Sequence, residues 1–389
     1  SSTPKTPSAP SNARPMHIRL LFAVLLFSTC VRAVTFDPGN DPPYAAAILV
    51  EAGSNTVLFA HNPDLQRSPA STQKLILELV VMELVRSGKF ALDDSIHVSA
   101  RAAKTGGSQV FLAQGEIFPL RELMEAIIIP SANDACVAVA EHIGGSVAGF
   151  VDLMNARARE LGLTNTYCVN VHGLDDTPKD NRNLTTVRDL AEVARALIDH
   201  PKVLHWSSIR YKPFRDGEFM LYTTNKLLGR FPGIDGLKTG YTRRAGSCLV
   251  ATAVRHEMRL ISVILGARSE KVRDQETRRL LSWGFNSFSP VPIVKDGEMM
   301  GKIALDWGFE PEVRGLTRDT VVKVLSPEQE KNITRQVEMP SEIPAPVAKG
   351  AELGILKIAL GDSLLAEVPI IAEKSVGRMG WWDKLMTYF

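Results

Sequence analysis

Apolar and polar positions alternate along this chain in three distinct textures. From residue 44 to residue 60, two β-type runs, 44–51 and 56–60, flank Gly53-Ser54-Asn55 and predict a hairpin. The stretch Leu75-Ile76-Leu77-Glu78-Leu79-Val80-Val81 then has the length and residue types of a buried helix, running over 71–86. Further helical patterns start at 120, ending near Pro130, and cover the alanine-rich 133–143 and the amphipathic 150–162, where Gly162 reads as a stop. Another covers 185–200, with Thr185 or Thr186 as its cap. Strands at 247–254 and 258–266 pair, and an Arg- and Glu-rich helix over 269–285 closes the region. Strands at both ends with helices between them predict an α+β domain spanning 34–286, not alternating βαβ units.

The texture changes near Asn286. Short β-type runs such as Val321-Val322-Lys323-Val324-Leu325, Ile355-Leu356-Lys357-Ile358 and Glu367-Val368-Pro369-Ile370 are spaced by the turn signals Asp296-Gly297 and Gly361-Asp362. They predict a small all-β domain over 287–371, a sandwich, with no chemistry of its own. The final stretch, 372–389, ends amphipathically. At 100° per residue Trp381, Trp382, Leu385, Met386, Tyr388 and Phe389 share one face, and Asp383, Lys384 and Thr387 the other. Adjacent tryptophans and a terminal phenylalanine predict an anchor lying in a membrane surface, against the simpler reading of a helix packed on the β domain.

Composition adds an address. The 389 residues suffice for two domains, and 45 basic against 43 acidic residues exclude a nucleic-acid binder on charge. Residues 1–15 are rich in Ser, Pro and Thr and predict a disordered extension. Met16-His17-Ile18-Arg19, the apolar run 20–27 and Val31-Arg32-Ala33 predict a secretory signal over 16–33, hence an exported, periplasmic protein. Removing it leaves Cys136, Cys168 and Cys248, so at most one disulfide with one thiol over. No His/Cys cluster has metal spacing, and neither metal nor cofactor is expected.

The candidate chemistry begins at Ser71-Thr72-Gln73-Lys74. On a helix, positions i and i+3 share a face, which places Lys74 beside the Ser71 hydroxyl. A hydroxyl is a poor nucleophile until an adjacent group takes its proton, and a desolvated lysine can do so as a neutral amine. Alone, Ser-x-x-Lys is as readily a helix cap followed by a surface lysine. Two further elements change that: Ser131-Ala132-Asn133 after an apolar run, and Lys238-Thr239-Gly240 before a strand-like one.

In this order the three elements resemble the Ser-x-x-Lys, Ser-x-Asn, Lys-Thr-Gly set of penicillin-binding proteins and class A β-lactamases. With Val171-His172-Gly173-Leu174-Asp175, Gly266-Ala267-Arg268 and Arg273, the chain from about residue 41 onward resembles the low-molecular-mass D-alanyl-D-alanine carboxypeptidases typified by penicillin-binding proteins 5 and 6. The resemblance implies a β-lactamase/transpeptidase-like catalytic domain acting on the D-Ala-D-Ala end of peptidoglycan stem peptides and acylated by β-lactam antibiotics. It implies Ser71 as nucleophile, Lys74 as proton acceptor, Ser131 and Lys238 as the link to the leaving amine, and Asn133 as the holder of the substrate amide. The N–H groups of Ser71 and Tyr241, beside Gly240, would form an oxyanion hole, each donor contributing about 3 kcal/mol. Thr239 and Arg273 would bind the terminal carboxylate. Ala132 stands where relatives often carry Gly or Asp and predicts altered loop flexibility only. Tyr241 stands where His, Ser or Thr is frequent and predicts a narrower site. His172 is expected to order its loop. A D,D-endopeptidase, a β-lactamase, or a non-catalytic penicillin-recognising scaffold bound to membrane or wall partners remain alternatives.

Overall fold

The computed structural model describes residues 35–386 except Thr177 and Lys179. The extension 1–15, the signal 16–33, and Thr387, Tyr388 and Phe389 of the terminal face lie outside the described residues.

The catalytic region is built on a five-stranded antiparallel sheet. Its order is Thr56–His61, Ala46–Glu51, Met258–Ala267, Gly246–Arg255, Ile234–Thr242. The predicted hairpin and strand pair are both in it. The inner strands are apolar throughout because both sheet faces are covered. Ile48, Val250, Ile261 and Val263 face a helical core with Leu190 and Ala194 of the helix Val187–Ile198. Leu49, Leu249, Ala251 and Ile264 point the other way, onto Leu280 and Leu281 of the helix Glu270–Ser287. Period-two alternation in the strands thus feeds two separate cores.

The helix Lys74–Arg86 runs through the helical layer, buried on every side from Lys74 to Met82. Beside it stand the helices Leu120–Ile128, Asn133–Gly144 and Val147–Glu160. Capping follows the sequence: Thr186 Oγ1 accepts from the Asp189 N–H at 3.0 Å, and Ser269 Oγ from the Val272 N–H at 3.3 Å. The pattern missed a second helix, Pro201–Ser207, and the hairpin Tyr211–Phe214 with Phe219–Tyr222. These pieces are too short to show a period.

The C-terminal region is an asymmetric sandwich. A six-stranded mixed sheet has the order Ile333–Glu338, Glu352–Leu360, Ser363–Ala372, Glu312–Thr317, Met299–Asp306, Glu342–Pro344. A two-stranded ribbon, Ser289–Val294 with Val321–Leu325, covers part of one face, packing Val294 and Val321 on Leu356, Ile358 and Val368. After it comes the short helix Trp381–Met386. Its polar side meets the β domain: Lys384 Nζ is 3.0 Å from Asp306 Oδ1 and 4.1 Å from the centre of the Trp307 ring. Trp381, Trp382 and Met386 are turned to solvent. Cys136, Cys168 and Cys248 are buried free thiols, so the disulfide allowed by the sequence does not form among them.

Candidate active site

Ser71 does not lie in the α-helix itself. It sits in a 3-10 turn, Ala70–Gln73, that leads into the helix Lys74–Arg86, and Ala70 takes a left-handed φ of 49° to enter it. Two glycines let other chain segments close on this turn. At Gly240, an added Cβ would stand 3.0 Å from the Ser71 and Thr72 nitrogens. The edge strand Ile234–Thr242 can therefore lie directly against the serine. At Gly173, with φ 84°, a Cβ would stand 1.9 Å from the Ala70 carbonyl oxygen.

Lys74 is wholly buried. Its Nζ lies 3.2 Å from Ser71 Oγ, 3.0 Å from Ser131 Oγ, 2.7 Å from the Ser131 carbonyl oxygen and 2.6 Å from Asn133 Oδ1. The last two atoms can only accept. A neutral amine donates its two N–H groups to them and keeps its lone pair for a hydroxyl proton. Burial pushes the Lys74 ammonium below its ordinary range, and the nearby carboxyls of Glu78 and Asp134 oppose that when ionised. Cys136 cannot do so at neutral pH, because burial holds its thiol up at about 12. Lys238 is lowered to about 7, first by burial and then by the Lys74 charge.

Ser131 occupies a left-handed φ of 71°, a costly conformation for a non-glycine residue, held by the Ala132 N–H to the Ala126 carbonyl at 2.9 Å and the Asn133 N–H to the Ser108 carbonyl at 2.7 Å. Asn133 Nδ2 donates to the Gly106 carbonyl at 2.8 Å, so both ends of its amide are fixed. Ala132 is fully buried in the helical core. Lys238 is buried and donates to the Thr239 carbonyl at 3.2 Å, not to Ser131. The hydroxyls of Thr239 and Thr224 are 2.5 Å apart.

Arg273 is not the solvated helix arginine its charged neighbours suggest. Only 2% of its side chain is exposed, and Nε and Nη2 both donate to Asp274 Oδ1 at 2.9 and 2.8 Å. It lies near enough to Lys238 for its charge to act there. Tyr241, next to Gly240 on the same edge strand, is 65% exposed.

Sequence reasoning passed over the brace behind Ser71. Asn170 Oδ1 accepts from the Gly173 N–H at 2.8 Å and from Asn183 Nδ2 at 3.0 Å, while its Nδ2 donates to the Leu174 carbonyl at 3.0 Å. Gln73 Nε2 donates to the Asn170 carbonyl, tying this loop to the nucleophile turn. His172 Nδ1 accepts from the Leu174 N–H at 3.3 Å. Burial lowers its imidazole to about 4, outweighing Asp176, so it orders the loop as a neutral ring. Alternating Asn, Gln and Gly in a loop carries no periodic signal; only the fold brings them together.

A serine hydroxyl beside a buried amine, a second buried lysine and a pinned asparagine make an acyl-transfer site. The family model for D-alanyl-D-alanine carboxypeptidases matches residues 41–269, and that for the C-terminal domain of penicillin-binding protein 5 matches 288–378. The chain belongs to the D-alanyl-D-alanine carboxypeptidase family. As a carboxypeptidase of this family it is a serine-type hydrolase. The carboxypeptidase DacF of Bacillus subtilis is 33% identical over 86% of each chain. Penicillin-binding protein 5 from Haemophilus influenzae has a TM-score of 0.72 at 29% identity, covering 88% of this chain and 100% of that one. Penicillin-binding protein D2 from Listeria monocytogenes, solved in its ampicillin-bound form, has a TM-score of 0.58 at 30% identity over 64% and 100%.

The glycine contacts give the first prediction. Gly173→Ala meets the Ala70 carbonyl in a left-handed backbone and should cost at least about 3 kcal/mol and most of the acylation rate. Gly162, with φ 72° and nothing within 4 Å of an added Cβ, is the control. Its alanine variant should lose only about 1 kcal/mol. Melting temperature and labelling by a fluorescent penicillin measure both. Equal losses in the two variants would remove the role assigned to the loop.

Proposed function

We propose that this carboxypeptidase removes the terminal D-alanine of peptidoglycan pentapeptide stems, with Ser71 as nucleophile and neutral Lys74 as the base. The observation that carries the reading is the Lys74 environment, in which two acceptor-only oxygens take the N–H groups and Ser71 Oγ faces the remaining position. Ser71 Oγ bonds to the penultimate D-alanine carbonyl carbon, its proton passes to Lys74, and the C–N bond to the last D-alanine breaks. The leaving amine takes a proton relayed through Ser131 from the lysine pair. Water then cleaves the ester and restores Ser71.

Orientation follows from the charges. We assign the terminal carboxylate to Lys238, Thr239 and Arg273, with Arg273 exchanging part of its Asp274 contact for it. Asn133 Nδ2 holds the amide on the acyl side. The strand bearing Lys238, Thr239, Gly240 and Tyr241 is a sheet edge, so an extended peptide can pair with its backbone. A cavity of about 560 Å³ is bounded by Lys104, Gly106, His172 and Leu174, and to it we assign the upstream peptide, since the Gly106 carbonyl is also the partner of Asn133 Nδ2. A β-lactam acylates Ser71 by the same route, but its leaving group stays tethered and hinders water, so deacylation is slow.

We further propose that the protein works in the periplasm, attached to the outer face of the cytoplasmic membrane. Supporting this, the terminal helix turns Trp381, Trp382 and Met386 outward and Lys384 inward, leaving its aromatics free for the headgroup layer.

Two outcomes test these assignments. Ser71→Ala should lower D-alanine release from a pentapeptide by about 10⁴-fold or more, with unchanged melting; residual release near the wild-type rate would exclude Ser71. Changing Trp381 and Trp382 to Ser should weaken sedimentation with anionic vesicles by about tenfold while soluble-peptide turnover stays unchanged. Undiminished vesicle binding would leave the aromatic face without this role.

A further inference from the structure

Glu78 lies one helical turn beyond Lys74, in the middle of a helix whose neighbours Leu75, Ile76, Leu77, Leu79 and Val80 are all core residues. It is 1% exposed, and its Oε1 has no hydrogen-bond partner. A buried carboxyl left unpaired destabilises a fold, and a leucine of similar size would cost nothing there. Packing therefore gives no reason for an acid at this position. The opposite charges acting on it are Lys238 and Lys74, the two buried lysines of the site.

The other charged groups around the cluster are already committed. Asp134, from the helix Asn133–Gly144, accepts from the Val110, Leu112 and Ala135 N–H groups. Cys136, on the same helix, stays a thiol. Arg273, from the helix packed on the far face of the sheet, is neutralised by Asp274. His172, from the loop over Lys74, is a neutral ring. Among these described groups, Glu78 is the acid whose charge is not taken up by a hydrogen-bonding partner.

We propose that Glu78 is a positioning residue whose buried carboxyl, behind Lys74 and Lys238, fixes how many protons the lysine pair carries in the resting enzyme. Two ammonium groups and no anion would repel each other in a dry interior, whereas two neutral amines would leave nothing to return a proton to the leaving group. One carboxyl that is either ionised or protonated lets the cluster hold one cation on two lysines. Glu78 itself is raised to about 8 by burial, against the pull of Lys238 and Lys74, so its charge changes within the working range. It touches no reacting atom and acts through Lys74.

The sign of its effect is definite. An anion behind the lysines favours their protonated forms, so removing it lowers their pKa values and frees the Lys74 amine at lower pH. The test rests on Ser71 and Lys74 acting as described, and uses the second-order rate constant of acylation by benzylpenicillin between about pH 5 and 10. In Glu78→Gln the rising limb of that profile should move to lower pH by about one to three units, and Glu78→Asp should move it back toward wild type. A Glu78→Gln protein that melts normally, is acylated stoichiometrically and keeps the wild-type limb overturns the proposal. Failure of the wild type to be acylated at all would instead overturn the Ser71 assignment.

Should Glu78→Gln not fold, Glu78→Leu removes the charge without a polar group to desolvate and is read by the same criterion. Infrared titration of the wild type with isotope-labelled glutamate decides independently of any variant. A buried protonated carboxyl band that titrates together with the acylation rate supports the proposal. A glutamic acid band that stays protonated across the whole acylation profile, so that no anion ever faces the lysines, contradicts it.

Discussion

Everything in the catalytic domain depends on keeping one amine out of water. Lys74 is an ordinary lysine by sequence, and in solvent it would be an ammonium with no basicity to offer at neutral pH. Full burial removes the hydration that stabilises that charge, and the Ser131 carbonyl and Asn133 Oδ1 supply the acceptors a neutral amine needs. The cost is met by the surrounding core: a helix buried on all sides, packed among the helices Asn133–Gly144, Val147–Glu160 and Val187–Ile198.

The rest of the domain holds a serine, an edge strand and an asparagine around that amine at hydrogen-bonding distances. Each approach needs a local departure from regular structure. Ala70 and Ser131 adopt left-handed backbones, Gly240 omits a side chain so that the strand can touch the turn, and Gly173 does the same for the loop. Such positions cost of order 1–3 kcal/mol each and persist because neighbouring hydrogen bonds leave no alternative. The loop anchored by Asn170 and Asn183 provides that constraint on one side of Ser71; the sheet provides it on the other.

Much of this was legible in the sequence. The Ser71 and Ser131 motifs sit at element boundaries where apolar periodicity starts or stops, the Lys238 motif lies inside the strand Ile234–Thr242, and the residue types of all three carry their chemistry. The cap at Thr186 was readable for the same reason: it acts on a residue three positions away. What was not legible depends on tertiary placement. Gln73 meets Asn170 across 97 residues, and Arg273 is buried against Asp274 in a helix that composition alone marks as solvated. Glu78 was hidden by its own surroundings, since a single acid in an apolar run reads as a helix edge until every face proves buried.

The account turns on Lys74 being the neutral base, and that can be observed directly. Lysine side-chain resonances followed by NMR across a pH titration, with Lys74 assigned by comparison with a Lys74→Arg protein, report its protonation without reference to turnover. The account predicts that Lys74 loses its proton well below lysine's ordinary range, in step with the rise of acylation. A Lys74 that stays an ammonium while Ser71 is being acylated at full rate would contradict it and move the base elsewhere in the cluster.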